Sequence, residues 1–149
     1  MNDLYYEPAI VKFELPLPPT SNHSYTPAVV GGKSTIISKK EHKQYKQDAA
    51  ILLNNHHQLM NDIDRDAYER ITRQIKKDNV FIFIDILFFL KNILSRDEDG
   101  GLKVVQDAVC EHIGINDKYV LDAHPGKRRA HGNPRCEIAV YIANQDNAL

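Results

Sequence analysis

The chain has 149 residues, with 19 Lys and Arg against 20 Asp and Glu, so its net charge is -1 near neutral pH. Apolar residues make up 42% of the sequence and charged residues 26%, which is typical of globular proteins and not of disordered ones. A near-neutral balance argues against a nucleic-acid-binding protein of the strongly basic kind. The length predicts a single domain, residues 1–149, that needs no disulfide or metal to hold its core.

Cysteine usage and hydropathy indicate the cellular compartment. Cys110 and Cys136 are too few for a disulfide scaffold and form no CxxC pair, which predicts two reduced, buried thiols. No apolar segment follows a basic start, so we expect no signal peptide. The most apolar stretch, Val80 to Leu90, is shorter than the roughly 20 residues that a membrane-spanning helix needs. We therefore expect a soluble, cytoplasmic protein with no membrane partner.

The first half of the chain predicts a strand followed by helical structure. Ala9 to Leu15 is roughly alternating and β-branched, which predicts a strand that the following prolines end. Ser38 to Glu41 has the pattern of a capping box, so a helix is expected to start there and continue to about Leu59. The charged stretch Asn61 to Lys77 is interpreted either as a short second helix or as an exposed insert.

The second half opens with an apolar run and ends in alternating segments. Val80 to Leu90 predicts a central strand covered on both faces, although Asp85 interrupts it. A helix is expected from about Gly100 to His112, with Gly114 as its C-cap.

Strands are expected at Tyr119 to Ala123 and at Cys136 to Ala143, joined by a loop from Pro125 to Pro134 that could be a long hairpin connection. This order predicts an α+β domain, with helices packed on one side of a mixed β-sheet.

A cluster of acidic residues lies between the apolar strand and the following helix. Asp97 and Asp99 are two apart, so in an extended segment their side chains point the same way. Lys103 and Asp107 follow at helical spacing on one face. A helix that packs back on the sheet would return the chain, and Asp117, to the same place. Three carboxylates and a lysine could then meet.

This combination suits metal-dependent phosphodiester chemistry. Mg²⁺ is typically held by one or two carboxylates together with waters and substrate phosphate. Metal ions activate water and neutralise charge on phosphoryl oxygens, and a lysine stabilises developing negative charge. The alternative is that the acids only cap the helix, where they interact well with its dipole. A D-x-D pair alone does not separate the two readings.

The order and spacing of these residues resemble the RusA-type Holliday junction resolvases. The segment from Leu15 to Asn22, with Tyr25, is also similar to the opening strand and loop of that family, so the resemblance extends over positions 9 to 143. The motif residues are Arg96, Asp97, Asp99, Lys103, Asp107, Ala108, Asn116, Asp117 and Val120.

The resemblance implies a small RusA-like domain, a homodimer, and Mg²⁺-dependent cleavage of branched DNA, with Mn²⁺ as a substitute ion. It implies that Asp97, Asp99 and Asp117 bind the metal and that Lys103 is the catalytic lysine near the scissile phosphate. Arg96 matches a basic position of the family and is expected to contact DNA.

The chain departs from the family pattern at Gly100, where the family usually has Asn. Such an Asn could orient a carboxylate or cap the helix. A branched-DNA-binding protein without catalysis is therefore the alternative, and a metal-dependent nuclease with a broader range of branched substrates is a third reading. Asp107 is expected to support the metal ligands, and Asn61 to Lys77 is extra length relative to compact members of the family.

The basic residues are unevenly distributed. Positions 126–135 contain four bases and no acid, which predicts a phosphate-contacting loop. Lys33, beside a pair of glycines, is expected to be a further DNA contact. Positions 97–122 contain seven acids and two bases, so the overall charge hides two opposed local fields and does not exclude DNA binding. The four bases are Lys127, Arg128, Arg129 and Arg135.

Overall fold

The structure, a computed structural model, describes residues 5–19, 33–78, 80–96 and 101–143, with their side chains except at 5–11, 33–39, 59, 76 and 78. These residues form four strands and three α-helices, and none of the helices is long and apolar enough to cross a membrane. In chain order the elements are β1 (Tyr5–Leu15), α1 (Lys33–Leu59), α2 (Asp62–Asp78), β2 (Ile82–Leu90), α3 (Leu102–Ile113), β3 (Val120–Arg129) and β4 (Arg135–Ala143).

The four strands form one mixed sheet in the order β1-β4-β2-β3. β4 is antiparallel to both β1 and β2, whereas β2 and β3 are parallel. Parallel neighbours need a crossover connection, and α3 supplies it. The predicted α+β class and mixed sheet are confirmed.

The hydrophobic core lies between one face of the sheet and the three helices. Alternate residues of β2 are fully buried on this face, because successive side chains of a strand point to opposite sides. Each helix contributes to the same cluster, so the predicted packing of helices on one side is confirmed. The cluster includes Ile84, Ile86, Phe88, Tyr45, Leu53, Ile75, Val105 and Val109.

The opposite face of β2 is only partly covered. Asp85, Leu87 and Phe89 are half-buried there, so the prediction of a strand covered on both faces is wrong, while its interior place in the sheet is right. The carboxylate of Asp85 lies 3.3 Å from Nδ1 of His124 on β3. A half-buried surface tolerates apolar side chains, which explains why the run looked fully buried.

Both cysteines lie inside this domain as free thiols. Burial raises the pKa of Cys110 and of Cys136 to about 11, so both thiols are protonated at neutral pH. The predicted pair of buried thiols is confirmed.

The helical half of the chain differs from the prediction at one end. α1 begins at Lys33, so the predicted start at Ser38 is wrong and the Ser38 to Glu41 pattern lies inside the helix. Extending an existing helix by one turn costs little compared with nucleating a new one. A capping pattern therefore does not have to mark the first residue of the helix. The charged stretch after α1 is helical, with the Asn61 side chain accepting the Asp64 amide at 2.8 Å.

The last connection also differs from the prediction. β3 continues to Arg129, and Leu90 pairs with Arg129, so a loop starting at Pro125 is wrong. A hairpin is also excluded, because β2 lies between β3 and β4. β3 is an edge strand, which needs ladder hydrogen bonds on one side only and therefore tolerates Pro125.

A cluster of aromatic rings joins the three helices to β1. The ring centroid of His112 on α3 lies 5.6 Å from that of Phe13, 6.1 Å from Tyr68 and 6.4 Å from His57. The His112 Nε2 atom is buried and has no hydrogen-bond partner among the described residues. Burial lowers the pKa of His112, and the neighbouring His57 and His56 lower it further.

We predict that acidification destabilises the fold through His112. Its pKa is lower in the folded state than in the unfolded state, where it is about 6.5. The unfolded chain therefore takes up the proton first, and the free energy of unfolding falls as the pH drops below that value. Urea denaturation at several pH values should show a shallower slope for His112→Phe than for the wild type. Replacing the exposed His131 by Phe is the matched control, and an equal effect of both substitutions contradicts the prediction.

Candidate functional site

Three of the predicted site residues meet at one place. Lys103 lies in the first turn of α3, Asp107 one turn further, and Asp117 begins a short 3₁₀ turn after the helix. The Lys103 ammonium donates to Oδ2 of Asp117 at 2.8 Å and lies 3.1 Å from Oδ1 of Asp107. The predicted meeting of the lysine with carboxylates is confirmed for these two acids.

Two local features return Asp117 to the helix. Gly114 adopts the left-handed conformation, with φ 85°, and its amide donates to the Cys110 carbonyl at 2.8 Å. This is the predicted C-cap. The Asn116 side chain then accepts the Lys118 amide at 3.0 Å, which holds the backbone on either side of Asp117.

Lys103 and Asp117 stabilise each other's charged forms. The hydrogen bond from Lys103 lowers the pKa of Asp117. The hydrogen bonds to Asp117 and then to Asp107 raise the pKa of Lys103. At neutral pH a protonated amine therefore faces an ionised carboxylate. All three side chains are partly exposed, so the contacts contribute little to stability, and their effect is on the charge and position of the groups.

The other predicted metal ligands, Asp97 and Asp99, lie outside the described residues, as does Gly100. Within the described ranges, no group of three or more His, Cys, Asp or Glu is arranged to hold a metal ion. The carboxylate oxygens of Asp107 and Asp117 are the kind of ligand that Mg²⁺ takes, and in this structure both carboxylates pair with the Lys103 ammonium.

The start of α3 shows how the helix is capped. Its N-cap is Gly101, with φ 88°, and the first turn contains no acidic residue. Asp97, Glu98 and Asp99 all precede this N-cap in the sequence, so none of them is the N-cap residue or belongs to the first turn.

The segment after β1 packs against the start of α3. A Cβ atom at Gly101 would overlap the ring of Pro18 and lie 3.3 Å from Nη1 of Arg96. The Tyr45 hydroxyl donates to the Pro16 carbonyl at 2.9 Å, which ties the same segment to α1. Gly101 is not one of the motif residues, so the sequence pattern did not indicate this contact.

Two of the bases predicted to contact DNA are turned toward the protein. The Arg96 guanidinium lies over the Phe88 ring, 5.9 Å from its centroid, and burial lowers the pKa of Arg96. The Lys127 ammonium donates to the carbonyl oxygens of Ile93 at 2.7 Å and of Arg96 at 3.2 Å. Lys127 thus holds the loop that follows β2, a role that the sequence pattern did not indicate.

Of the remaining residues predicted to contact DNA, one is paired within the chain and two are exposed. Arg135 pairs with Glu137 at 2.7 Å and lies 3.4 Å from Glu14. Arg128 and Arg129 are exposed at the end of β3. The Lys33 side chain is outside the described part of the chain, and its backbone begins α1 and is not in the predicted loop.

No protein-family model matches this chain, and no curated protein matches it either. The resemblance to the resolvases rests on the motif residues themselves.

We predict that Gly101 is required for the packing at the start of α3. Gly101→Ala places a Cβ atom against Pro18 in a left-handed conformation, and the free energy of unfolding should fall by about 2 kcal/mol. Gly132→Ala is the matched control, because a Cβ atom there meets nothing within 4 Å and should change stability by less than about 0.5 kcal/mol. Equal stabilities of the two variants in urea denaturation contradict this account.

We predict that Lys127 orders residues 91–96. A hydrogen bond from a charged donor contributes roughly 1.5–3 kcal/mol, so Lys127→Met should speed hydrogen exchange of the Ser95 amide by about tenfold or more. Arg128→Met removes the neighbouring charge without touching the loop carbonyls and should leave that exchange unchanged. Unaltered exchange in Lys127→Met shows that the loop does not depend on this contact.

Proposed function

We propose that this protein is a Mg²⁺-dependent, structure-selective endodeoxyribonuclease that resolves four-way DNA junctions by paired nicks. The observation that carries the proposal is the contact of Lys103 with Asp117, which joins the catalytic lysine and one metal ligand of the resembled family across 14 positions of sequence. The family resemblance supplies the substrate class.

Each site residue has its own role in the proposed cleavage. Asp97, Asp99 and Asp117 hold Mg²⁺, or Mn²⁺ in its place, and Asp107 supports them through Lys103. The bound ion supplies charge neutralisation at the phosphate and activation of water. The Lys103 ammonium, already at Asp117, donates to a phosphate oxygen beside that carboxylate and stabilises the negative charge that develops there.

The DNA backbone is held by the basic residues near the end of β3. Arg128 and Arg129 are the best placed, because they are exposed beside the loop that leads toward Asp97. Lys33, Arg96, Lys127 and Arg135 complete the proposed set. A homodimer suits this substrate, since a two-fold enzyme presents two equivalent sites to the symmetric strands of a junction.

The second candidate is a branched-DNA-binding protein that does not cut. Gly100 favours it, because the Asn usual at this position in the family could orient a metal ligand. Both candidates use the same basic surface and differ only in whether the carboxylates support catalysis.

The test is cleavage of a labelled four-way junction with and without Mg²⁺, beside linear duplex. Asp97→Asn, Asp99→Asn and Asp117→Asn should each lower the cleavage rate by about 10²-fold or more, because each removes a charged ligand, while junction binding persists. Glu111→Gln is the matched control, since it changes the same charge on the exposed side of α3 and should cut at the wild-type rate.

The outcomes separate the candidates. Wild-type rates in all three Asp variants show the proposal to be wrong. Retention of the junction without product, in Mg²⁺ and in Mn²⁺, favours the binding protein. Cutting of linear duplex as fast as of the junction indicates a nuclease of broader range.

A further inference from the structure

The loop that follows β2 carries two exposed apolar side chains at its tip. Ile93 is 45% exposed and Leu94 is 83% exposed. Single exposed apolar residues are ordinary on protein surfaces, but these two are adjacent on a tight turn. The Asn92 side chain accepts the Leu94 amide at 2.9 Å, and its carbonyl accepts the Ser95 amide at 2.9 Å.

The neighbouring strand holds this tip outward. The Lys127 ammonium donates to the carbonyl of Ile93, the first tip residue, and to that of Arg96 at the far side of the turn. At the base of the loop the Ala130 amide donates to the Leu90 carbonyl at 2.8 Å. Exposing apolar side chains to water costs free energy, so hydrogen bonds that keep Ile93 and Leu94 exposed suggest that a partner covers them.

The charge around the tip matches a polyanion. Residues 91–96 contain Lys91 and Arg96 and no acid. Lys91, Arg128 and Arg129 are exposed at the ends of β2 and β3, from which the loop projects. Basic side chains at such positions contact phosphates and position the nucleic acid. An apolar pair on the loop beside these basic residues would face the bases of DNA that they hold.

We propose that Ile93 and Leu94 form an apolar wedge that enters the base stack at the branch point of bound DNA. The inference rests on the proposed function and names the feature of DNA that this surface recognises. Apolar side chains that enter between base steps unstack them partially, and the cost is least where stacking is already interrupted. At the branch point of a junction the strands pass from one arm to another, so stacking is interrupted there, whereas in a linear duplex it is continuous.

The test uses a junction that carries 2-aminopurine at the branch point, with Ca²⁺ in place of Mg²⁺ so that bound DNA is not cut. Wild-type protein should raise the fluorescence severalfold, because the probe brightens when it is unstacked. Leu94→Ser and Ile93→Ser should remove at least half of that rise and weaken junction binding about tenfold, while duplex binding changes less than twofold. Ile63→Ser is the matched control, an apolar residue 81% exposed on α2, and should behave as the wild type.

Three results overturn the wedge and leave the proposed function standing. The first is fluorescence and junction affinity in Leu94→Ser equal to those of Ile63→Ser. The second is a change of sedimentation from dimer to monomer in Leu94→Ser alone, which would make the tip an interface between copies. The third is retention of the junction by wild-type protein without a fluorescence rise, which defeats the wedge alone. If wild-type protein retains no junction, the proposed function fails, and the wedge fails with it.

Thermal melting confirms that each variant is folded, since exposed substitutions should leave the melting temperature nearly unchanged.

Discussion

The parallel pairing of β2 with β3 determines most of what surrounds the site. Two parallel strands cannot be joined by a tight turn, so the chain must cross back through α3. The crossover places Lys103 and Asp107 on the helix and returns Asp117 to them before β3 begins. At the other end of the pair, β3 carries Lys127 to the loop that leaves β2. One strand pairing thus arranges the charged site at one end and the loop that Lys127 holds at the other.

The basic residues near the end of β3 show why net charge says little about partners. The ammonium of Lys127 and the guanidinium of Arg135 are engaged by carbonyl and carboxylate oxygens of the same chain. Arg128 and Arg129 are exposed. Residues that look equivalent in the sequence thus divide into groups that organise the protein and groups that face solvent. The groups that face solvent are the better placed for phosphate contact, which depends on the local surface and not on the total charge.

Several elements could be predicted because their signals are local. The apolar run of β2, the helical periodicity of α3 and the left-handed cap at Gly114 all depend on residues within a few positions. The start of α1 and the end of β3 were missed. In both cases a local pattern, the capping box at Ser38 or the proline at Pro125, was outweighed by the surrounding structure.

The sequence by itself determined the α+β class, the interior strand, the spacing that joins Lys103 to the acids, and the motif that suggests a resolvase. Only the tertiary structure decided that Lys127 braces a loop, that Pro18 closes on Gly101, and that Arg128 stays exposed. Periodicity and capping act within a turn or two of chain, so they can be read from neighbouring residues. Strand order and register depend on pairings between distant segments, and those pairings decide which side chains meet and which remain in water.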